Sequence, residues 1–581
     1  MKPETVSLTT YGHENIPDTP WDSYPRPQFR RNSYINLNGS WDFKADGPFP
    51  EAFTETVIVP FPVESKLSSV CEHFPEGTPL WYSRKLPDIS HGDDELVLLH
   101  VDAVDQEAYI YVNGNAAAHI HTFEGRRGID ITPLLSDTNT ITVKVVDDLG
   151  RKEYPYGKQT LSRGGMWYTP FSGIWQSVWI EVVPKEHIHS LDIISSLTEA
   201  IVRIDGPSNG AVRFEGRLIP IENSCVTLAP ADPVCWTPDT PKLYEFTVLA
   251  GKDEVHSYFA LRTLSVQDTG SAARLCLNGK PFFFHGLLDQ GYWPDGLCTP
   301  PEPSCFAEDI LAMKKLGFNT LRKHIKIEPE QFYYDCDRLG MIVFQDMVNN
   351  GSYSFIKDTI MPTIGIKKLD DRKMNRNFLP RKMFLECMEN TVRMLGSHTS
   401  ICCWTIFNEG WGQFEADNAY DLLKSFDSSR FIDTASGWFH PENSDVESLH
   451  VYFKRFRMPK AEKPVLLSEF GGYSCKIEGH SFNLDKTYGY RFFKDVSKYM
   501  DALEKLYLDE IIPAAGAGLS GAIYTQVSDV EDETNGLLTY DRAILKADTD
   551  RMLNIAAHLT AQKEDRNAEQ DLHLPEHVHM G

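Results

Sequence analysis

Two glutamates stand at the ends of short apolar runs, and each is followed closely by glycine. One run, residues 404–408, leads into Glu409, and the other, residues 464–468, leads into Glu469. Apolar runs of this length are typical of buried parallel strands. A carboxylate at the exit of such a strand lies at the rim of the sheet and not in its core. Two carboxylates on one rim can cleave a glycosidic bond, which predicts glycosidase chemistry.

Cleavage with retention of configuration needs a protonated carboxyl for the leaving oxygen and an ionised carboxylate for the anomeric carbon. The two carboxyls then lie about 5–5.5 Å apart, too close for a water between them. Neighbouring like charges raise one of the two pKa values, so the pair divides into acid and nucleophile. Asn408 offers an amide to the sugar 2-hydroxyl, a contact that strengthens in the transition state. Tyr452 offers a hydroxyl that would keep the nucleophilic carboxylate ionised and oriented.

Polar residues follow nearly every apolar run in the second half of the chain. They are Asp289, Arg322, His324, Asp346, His450, Tyr452 and Gln526. Each has an ordinary structural explanation by itself, such as a helix cap, an ion pair or a hydrogen-bonded core histidine. As a group they predict a substrate site. Trp293, in the aromatic and glycine-rich run 291–296, is predicted to form a pocket wall; the alternative is a rigid loop packed under the rim.

The elements that must position these residues change in type along the chain. Residues 1–183 show short alternating strands without a convincing helix, which predicts a jelly-roll β-sandwich. Residues 184–265 carry another set of short strands and predict a small immunoglobulin-like sandwich. In residues 266–581, strands alternate with amphipathic helices, which predicts a (β/α)₈ TIM barrel. A doubly wound sheet has the same alternation, but no glycine-rich phosphate loop follows the first strand.

Composition limits the partners and the compartment. The chain has 581 residues, 41% hydrophobic and 24% charged, as in ordinary globular proteins. A formal charge of −25 disfavours nucleic acid as a partner, whereas the two glutamates favour a carbohydrate. Eleven scattered cysteines fit a reducing compartment. No apolar leader or run of about 18 apolar residues is present, so we expect a cytoplasmic protein without a membrane span.

Several motifs together resemble glycoside hydrolase family 2. They are residues 21–43, the run Val-Pro-Phe-Pro-Val-Glu-Ser at 59–65, Leu-Trp-Tyr-Ser-Arg at 80–84, Ser-Gly-Ile-Trp-Gln-Ser-Val-Trp at 172–179, and the two glutamate segments. The resemblance covers essentially the whole chain. It implies a sugar-binding-type jelly roll, an immunoglobulin-like domain and a catalytic barrel, in that order. It also implies Glu409 as acid/base, Glu469 as nucleophile, hydrolysis with retention, and neither a metal nor an organic cofactor.

The residues expected to select the sugar follow no subfamily pattern closely. The segment 322–329 fits the β-galactosidase run Arg-x-Ser/Cys-His-Tyr-Pro only at Arg322 and His324. The Asn-x-Lys signature of β-glucuronidases is not found after Glu469, although Lys323 and Lys326 could meet an anionic sugar by charge. We expect a β-galactosidase-like exo-enzyme. The alternatives are a β-glucuronidase, another family 2 specificity such as β-mannosidase or arabinosidase, a transglycosidase, and a carbohydrate-binding protein without catalysis.

Two further expectations concern the surface. The acidic run 529–533 lacks the spacing of a calcium loop, so a salt-bridged loop is favoured over a cation site. Sandwich domains attached to a barrel often supply subunit contacts, so a homodimer is the expected assembly.

Overall fold

The computed structural model describes residues 5–270, 272–361 and 371–571. The N-terminal part is a sandwich of two antiparallel sheets, joined by a short bridge between Val104–Asp105 and Gly173–Ile174. The smaller sheet contains, in spatial order, Ile35–Asn36, Val178–Pro184, Glu95–Val101 and Ile129–Asp130. The larger contains Glu55–Val59, Gly39–Ala45, Leu80–Lys85, Thr140–Val146, Glu107–Val112 and Asn115–His121. Alternate side chains of both sheets form one apolar core, because successive residues of a strand face opposite sides.

A second, smaller pair of antiparallel sheets follows. Its three-stranded sheet contains Ser190–Ser195, Ala200–Asp205 and Cys225–Leu228. Its four-stranded sheet contains Arg217–Pro220, Gly210–Phe214, Tyr244–Ala250 and Asp253–Phe259. A three-stranded antiparallel sheet, with strands Leu264–Asp268, Ala273–Leu277 and Lys280–Pro281, leads into the barrel. The jelly-roll and immunoglobulin-like topologies, and the domain boundaries, remain predictions.

The C-terminal part confirms a parallel eight-stranded barrel. Its strands, numbered one to eight along the chain, are Phe284–Asp289, Thr320–Lys323, Ile342–Asp346, Ile401–Asn408, Phe431–Ser436, Glu447–Val451, Val465–Gly471 and Leu519–Thr525. Their hydrogen-bonded order is 5-4-3-2-1-8-7-6, which leaves strands five and six as neighbours at the closure. There the Ser448 hydroxyl donates to Asp433 at 2.6 Å. All eight carboxyl ends therefore meet at one rim.

Helices cover the outside of the barrel. They are Ser304–Lys315, Glu330–Leu339, Phe378–Leu395, Ala416–Phe426, Val496–Leu506 continuing through Ile512–Ala517, and Thr549–Asp571. Gly317 and Gly340 end the first two with positive φ, as their sequence positions predict. Serine is a preferred N-cap residue, so the sequence predicts Ser304 as the cap of the first helix, and the structure shows that this prediction is wrong. Ser304 is the first helical residue, preceded by Pro303, which has no side-chain donor or acceptor. No helix among the described residues is long and apolar enough to cross a membrane.

Candidate active site

The two glutamates converge at the carboxyl ends of strands four and seven. Glu409 follows the last residue of strand four and takes a left-handed backbone conformation, φ 49°. This is unusual for a residue with a side chain, and such conformations concentrate at functional sites. Glu469 lies within strand seven, and both side chains are buried. One carboxylate oxygen from each, together with a ring nitrogen of His450, lie within 4.8 Å of one another.

His450, at the end of strand six, links the two carboxylates. Its Nδ1 lies 2.9 Å from Oε1 of Glu409 and 3.4 Å from Oε2 of Glu469. Its Nε2 lies 3.3 Å from Nη1 of Arg322. Because a guanidinium can only donate, Nε2 must accept, and the proton of the neutral ring is then on Nδ1, facing the glutamates. These contacts with both glutamates favour a role for His450 in the candidate site over that of an ordinary hydrogen-bonded core histidine.

Arg322 donates hydrogen bonds to several buried acceptors beneath the rim. It forms a bidentate pair with Asp346, Nε to Oδ1 at 2.9 Å and Nη2 to Oδ2 at 3.0 Å. It also donates from Nη1 to Oε1 of Glu469 at 3.0 Å and from Nη2 to Oδ1 of Asn408 at 2.9 Å. The hydroxyl of Ser436 donates to the same amide oxygen at 2.9 Å. The oxygen of Asn408 is therefore fully used, which fixes the orientation of its amide.

The surroundings of Glu469 favour its ionised form. Burial raises the pKa of this carboxyl, but favourable electrostatic interactions with His450 and Arg322 outweigh that effect and lower the pKa below its usual value. The hydroxyl of Tyr452 also donates to Oε2 at 2.5 Å, as predicted for the nucleophilic carboxylate. The Tyr452 ring stacks on Tyr490, with 3.7 Å between centroids.

His324 contacts the same aspartate as Arg322, and its ring is neutral. Its Nδ1 contacts Oδ2 of Asp346 at 2.8 Å. Burial, followed by the nearby charge of Lys158, lowers the pKa of His324 to about 4. The pKa of Asp346 is also lowered, because its neighbours Arg322 and His324 outweigh the effect of burial. Asp346 therefore binds Arg322 and His324. It caps no helix, so the alternative of a helix cap does not hold for this residue.

Three predicted site residues lie in neighbouring networks. Asp289 contacts Lys323 at 2.6 Å, and Gln526 donates to Glu533 and Asn535. The ring of Trp293 is buried under the guanidinium of Arg542, 3.8 Å from its centre. These contacts favour the packed-loop alternative for Trp293. The described contacts of Asp289, Trp293 and Gln526 include neither Glu409 nor Glu469, so their binding of sugar stays a prediction.

The two lysines considered for an anionic sugar are already neutralised. Lys323 Nζ contacts Oε1 of Glu328 at 2.9 Å in addition to Asp289. Lys326 Nζ contacts the same Glu328 oxygen at 2.7 Å and the carbonyl of Cys298 at 2.7 Å. Both are buried. Their predicted role as free cations at the rim is therefore wrong, because a buried carboxylate lies between them.

An aromatic cluster beside Glu409 was not predicted. Trp411 stacks on Trp167 of the N-terminal region, with 5.2 Å between ring centroids, and Tyr353 packs edge-on against both. Trp411 stands two residues after Glu409, so its type and position could have been noticed. Trp167 has no such signal, because it comes from a different domain.

The acidic run 529–533, after strand eight, forms hydrogen bonds and ion pairs with the N-terminal part of the chain. Glu531 accepts from the backbone N–H of Thr169 at 2.8 Å, and Glu533 from the hydroxyl of Tyr168 at 2.6 Å. Arg163 lies 3.3 Å from both Glu531 and Asp532. Lys546 pairs with Asp529 at 2.6 Å. The run is therefore salt-bridged as favoured, and it fastens the N-terminal segment 163–169 to the barrel.

The chain is similar to several known glycosidases. Residues 271–544 match the family model "Glycosyl hydrolases family 2, TIM barrel domain". A putative β-glucuronidase of Formosa agariphila is 23% identical over 70% of this chain and 50% of its own length. A β-galactosidase of Priestia megaterium is 23% identical over 68% of this chain and 41% of its own. The chain spans half or less of these curated relatives.

Solved structures share the fold over nearly the whole chain. The β-D-glucuronidase structure from Dictyoglomus thermophilum has a TM-score of 0.69 and 16% identity, covering 95% of this chain and 99% of that one. A β-galacturonidase from Eisenbergiella tayi, bound to galacturonate, has a TM-score of 0.64 and 17% identity, covering 93% and 99%. Fold, paired carboxylates and family model agree on the class of barrel glycosidases. The barrel of this chain, residues 271–544, belongs to glycoside hydrolase family 2.

Proposed function

We propose that the chain is a retaining exo-β-glycosidase in which Glu469 is the nucleophile and Glu409 the acid/base. The observation that carries the proposal is the approach of the two carboxylates, with one oxygen of each inside 4.8 Å. Inverting enzymes keep their carboxyls about 6.5–9.5 Å apart, because a water must fit between them. The depressed pKa of Glu469 supports its assignment as the ionised partner.

The proposed reaction has two displacements. Glu469 attacks the anomeric carbon while Glu409 transfers its proton to the leaving oxygen, giving a glycosyl ester on Glu469 and a free alcohol. Glu409, now a carboxylate, removes a proton from water, whose oxygen attacks the anomeric carbon. The ester bond to Glu469 breaks, and Glu409 is again protonated. The amide nitrogen of Asn408 donates to the sugar 2-hydroxyl in both transition states.

Product stereochemistry tests the proposal directly. The first product of an aryl β-glycoside, followed by proton NMR, should be the β-anomer; an α-anomer would exclude Glu469 as nucleophile. Glu469→Ala should abolish turnover, with a loss of about 10⁴-fold or more. Glu409→Ala should slow substrates with poor leaving groups far more than activated aryl glycosides, since the latter need little protonation. Full activity of Glu469→Ala would contradict the assignment.

Two classes of sugar are favoured for the substrate, neutral galactosides and uronides. A β-galactosidase-like specificity is the expectation from sequence, and β-galactosidases occur among the relatives. Uronidases are prominent among the structures with a similar fold, and one of the curated relatives is named a putative β-glucuronidase. A panel of aryl galactoside, glucuronide, mannoside, arabinoside and fucoside would separate these classes. Binding of sugars without turnover of any of them would favour the non-catalytic alternative.

The finer architecture belongs to the same proposal. We propose that the N-terminal sandwich is a sugar-binding-type jelly roll, that the second sandwich is immunoglobulin-like, and that the protein acts in the cytoplasm as a homodimer. Sedimentation velocity would test the assembly, with a monomer at micromolar concentration as the contrary result.

A further inference from the structure

A segment of the N-terminal domain lies over the barrel rim and carries a buried lysine to it. The N–H of Tyr156 donates to the carbonyl of Asn349, just after strand three, at 3.1 Å. Gly157 follows with φ 63°, and a Cβ there would approach the carbonyl of Ile325 to 3.2 Å. The glycine thus allows close approach of the two backbones. Lys158 is the next residue, and its carbonyl accepts from the N–H of Tyr168 at 3.0 Å.

Lys158 differs from the other buried lysines in the described part of the chain. Lys323 and Lys326 pair with Glu328, and Lys546 pairs with Asp529. Lys158 is 6% exposed, yet among described residues its ammonium forms no ion pair and no hydrogen bond. Its ammonium lies over two aromatic rings. Leaving a cation buried without an anion costs free energy, so such a group marks a position where an anion can be gained.

The ammonium lies on the side of the site that holds the acid/base. Its Nζ is 5.9 Å from the ring of Trp411, two residues after Glu409, and 5.6 Å from the ring of Tyr168. Its charge also acts on His324, which contacts Asp346 beside Arg322. Lys158 therefore lies next to Trp411 and acts on His324, two residues beside the candidate catalytic pair, although it comes from the N-terminal part of the chain.

The backbone around Lys158 is fixed and not left to a free loop. Tyr168 is tied to Glu533 and Thr169 to Glu531, while Gln159 donates to Asp105 at 2.7 Å. A preorganised charge recognises a ligand better than a mobile one, because no ordering cost is incurred on binding.

We propose that Lys158 binds the carboxylate of a β-glycosiduronic acid and thereby selects uronides over the corresponding neutral glycosides. The inference rests on the proposed glycosidase function and names its substrate class. Lysine suits this role as a compact charge that needs no bidentate geometry. Lys323 and Lys326 cannot supply it, since both are bound to Glu328.

The test compares four 4-nitrophenyl β-glycosides: glucuronide and galacturonide against glucoside and galactoside. Wild-type protein should prefer one of the uronides. Lys158→Met should lower kcat/KM for that uronide by about 100-fold, and Lys158→Arg by less, because it retains the charge. The neutral glycosides should change by less than about threefold in both variants. Lys152→Met is the matched control, since that lysine lies over Tyr156 on the same segment, and it should leave the preference unchanged.

Several outcomes would overturn the inference. Equal losses on charged and neutral substrates would make Lys158 a packing residue, and no loss on uronides would exclude it. If Lys158→Met does not fold, inhibition of the wild type by free glucuronate but not glucose must still be seen, and its loss in Lys158→Gln. Wild-type activity on neutral glycosides alone overturns the uronide assignment and leaves the glycosidase proposal intact. Failure on all four substrates overturns the uronide assignment, and failure on the mannoside, arabinoside and fucoside as well overturns the glycosidase proposal too.

Discussion

His450 Nδ1 lies 2.9 Å from Oε1 of Glu409, and its other ring nitrogen accepts from Arg322, which also donates to Glu469. One ring thus connects the two carboxylates that the proposed mechanism must keep in different protonation states. The histidine is buried, so this link works in a low-dielectric environment where it is strong.

Replacing His450 should lower catalysis by Glu409, the proposed acid/base, more than it lowers the stability of the fold. In His450→Ala, Glu409 loses a donor that orients it, and kcat/KM should fall by about 10- to 100-fold. The loss should be larger for poor leaving groups than for activated ones, because only the former depend on a well-placed Glu409. Rates across aryl glycosides of increasing leaving-group pKa measure this. His440→Ala, which removes a partly exposed partner of Glu447, is the control. Equal losses across the series would contradict the orienting role.

Tyr452→Phe should move the acidic limb of the pH profile. The hydroxyl of Tyr452 stabilises ionised Glu469, so its removal raises the pKa of that carboxyl. The carboxylate form then appears only at higher pH, and the acidic limb of kcat/KM shifts upward. Activity below the limb should fall by about 10-fold or more. Tyr420→Phe is the control. It removes a tyrosine–carboxylate hydrogen bond to Asp445, which is not one of the two glutamates, and should leave the acidic limb of the pH profile in place. An unmoved limb in Tyr452→Phe would count against Glu469 as the nucleophile.

Asp433 should make stability depend on pH. Burial raises the pKa of this carboxyl to about 6, although Ser448 and Arg322 oppose the rise. The folded state therefore holds the proton over a range where the unfolded chain has lost it. Stability falls as pH rises from about 4 to 6, and the penalty of about 3 kcal/mol persists above that range.

Asp433→Asn removes the ionisation, and its Tm relative to wild type should therefore be higher at pH 8 than at pH 4.5. Thermal unfolding by circular dichroism at both pH values measures the difference. A Tm difference independent of pH would mean that Asp433 stays ionised in the folded protein, through Arg322.

The acidic run should be insensitive to metal removal. Arg163, Lys546 and the N-terminal segment already neutralise or hydrogen-bond its carboxylates, so EDTA should leave Tm unchanged. Arg163→Ala should instead destabilise the protein by about 1–2 kcal/mol, because Glu531 and Asp532 lose a partly buried partner. A Tm lowered by EDTA and restored by Ca²⁺ would show a cation site.

The barrel was predictable because its signals are local. The run before Asp346 predicted a strand at 341–346, and the structure has Ile342–Asp346. Gly340 ends the preceding helix as expected. Each signal depends on a few consecutive residues, through the period of a strand or the backbone freedom of a glycine. The cap at Ser304 was misjudged by one residue, which is the usual scale of error at helix ends.

The partners of polar residues were less predictable, because they come from distant parts of the chain. Lys323 and Lys326 were expected to face an anionic sugar, and Glu328 takes both of them. The sequence contains all three residues, but their side-chain directions depend on how strand two and the following loop pack. Trp167 and Lys158 offered no local pattern at all.

The sequence by itself determined the candidate catalytic residues: Glu409, Glu469 and Asn408 stand at strand exits because apolar runs must be buried and the polar residue after each run must leave the core. It thereby determined the family and the class of chemistry. Only the tertiary structure decided what surrounds that pair, placing His450 between the carboxylates and bringing Lys158 from another domain. Strand exits follow from neighbours in sequence, whereas contacts between domains follow from packing, which no short pattern encodes.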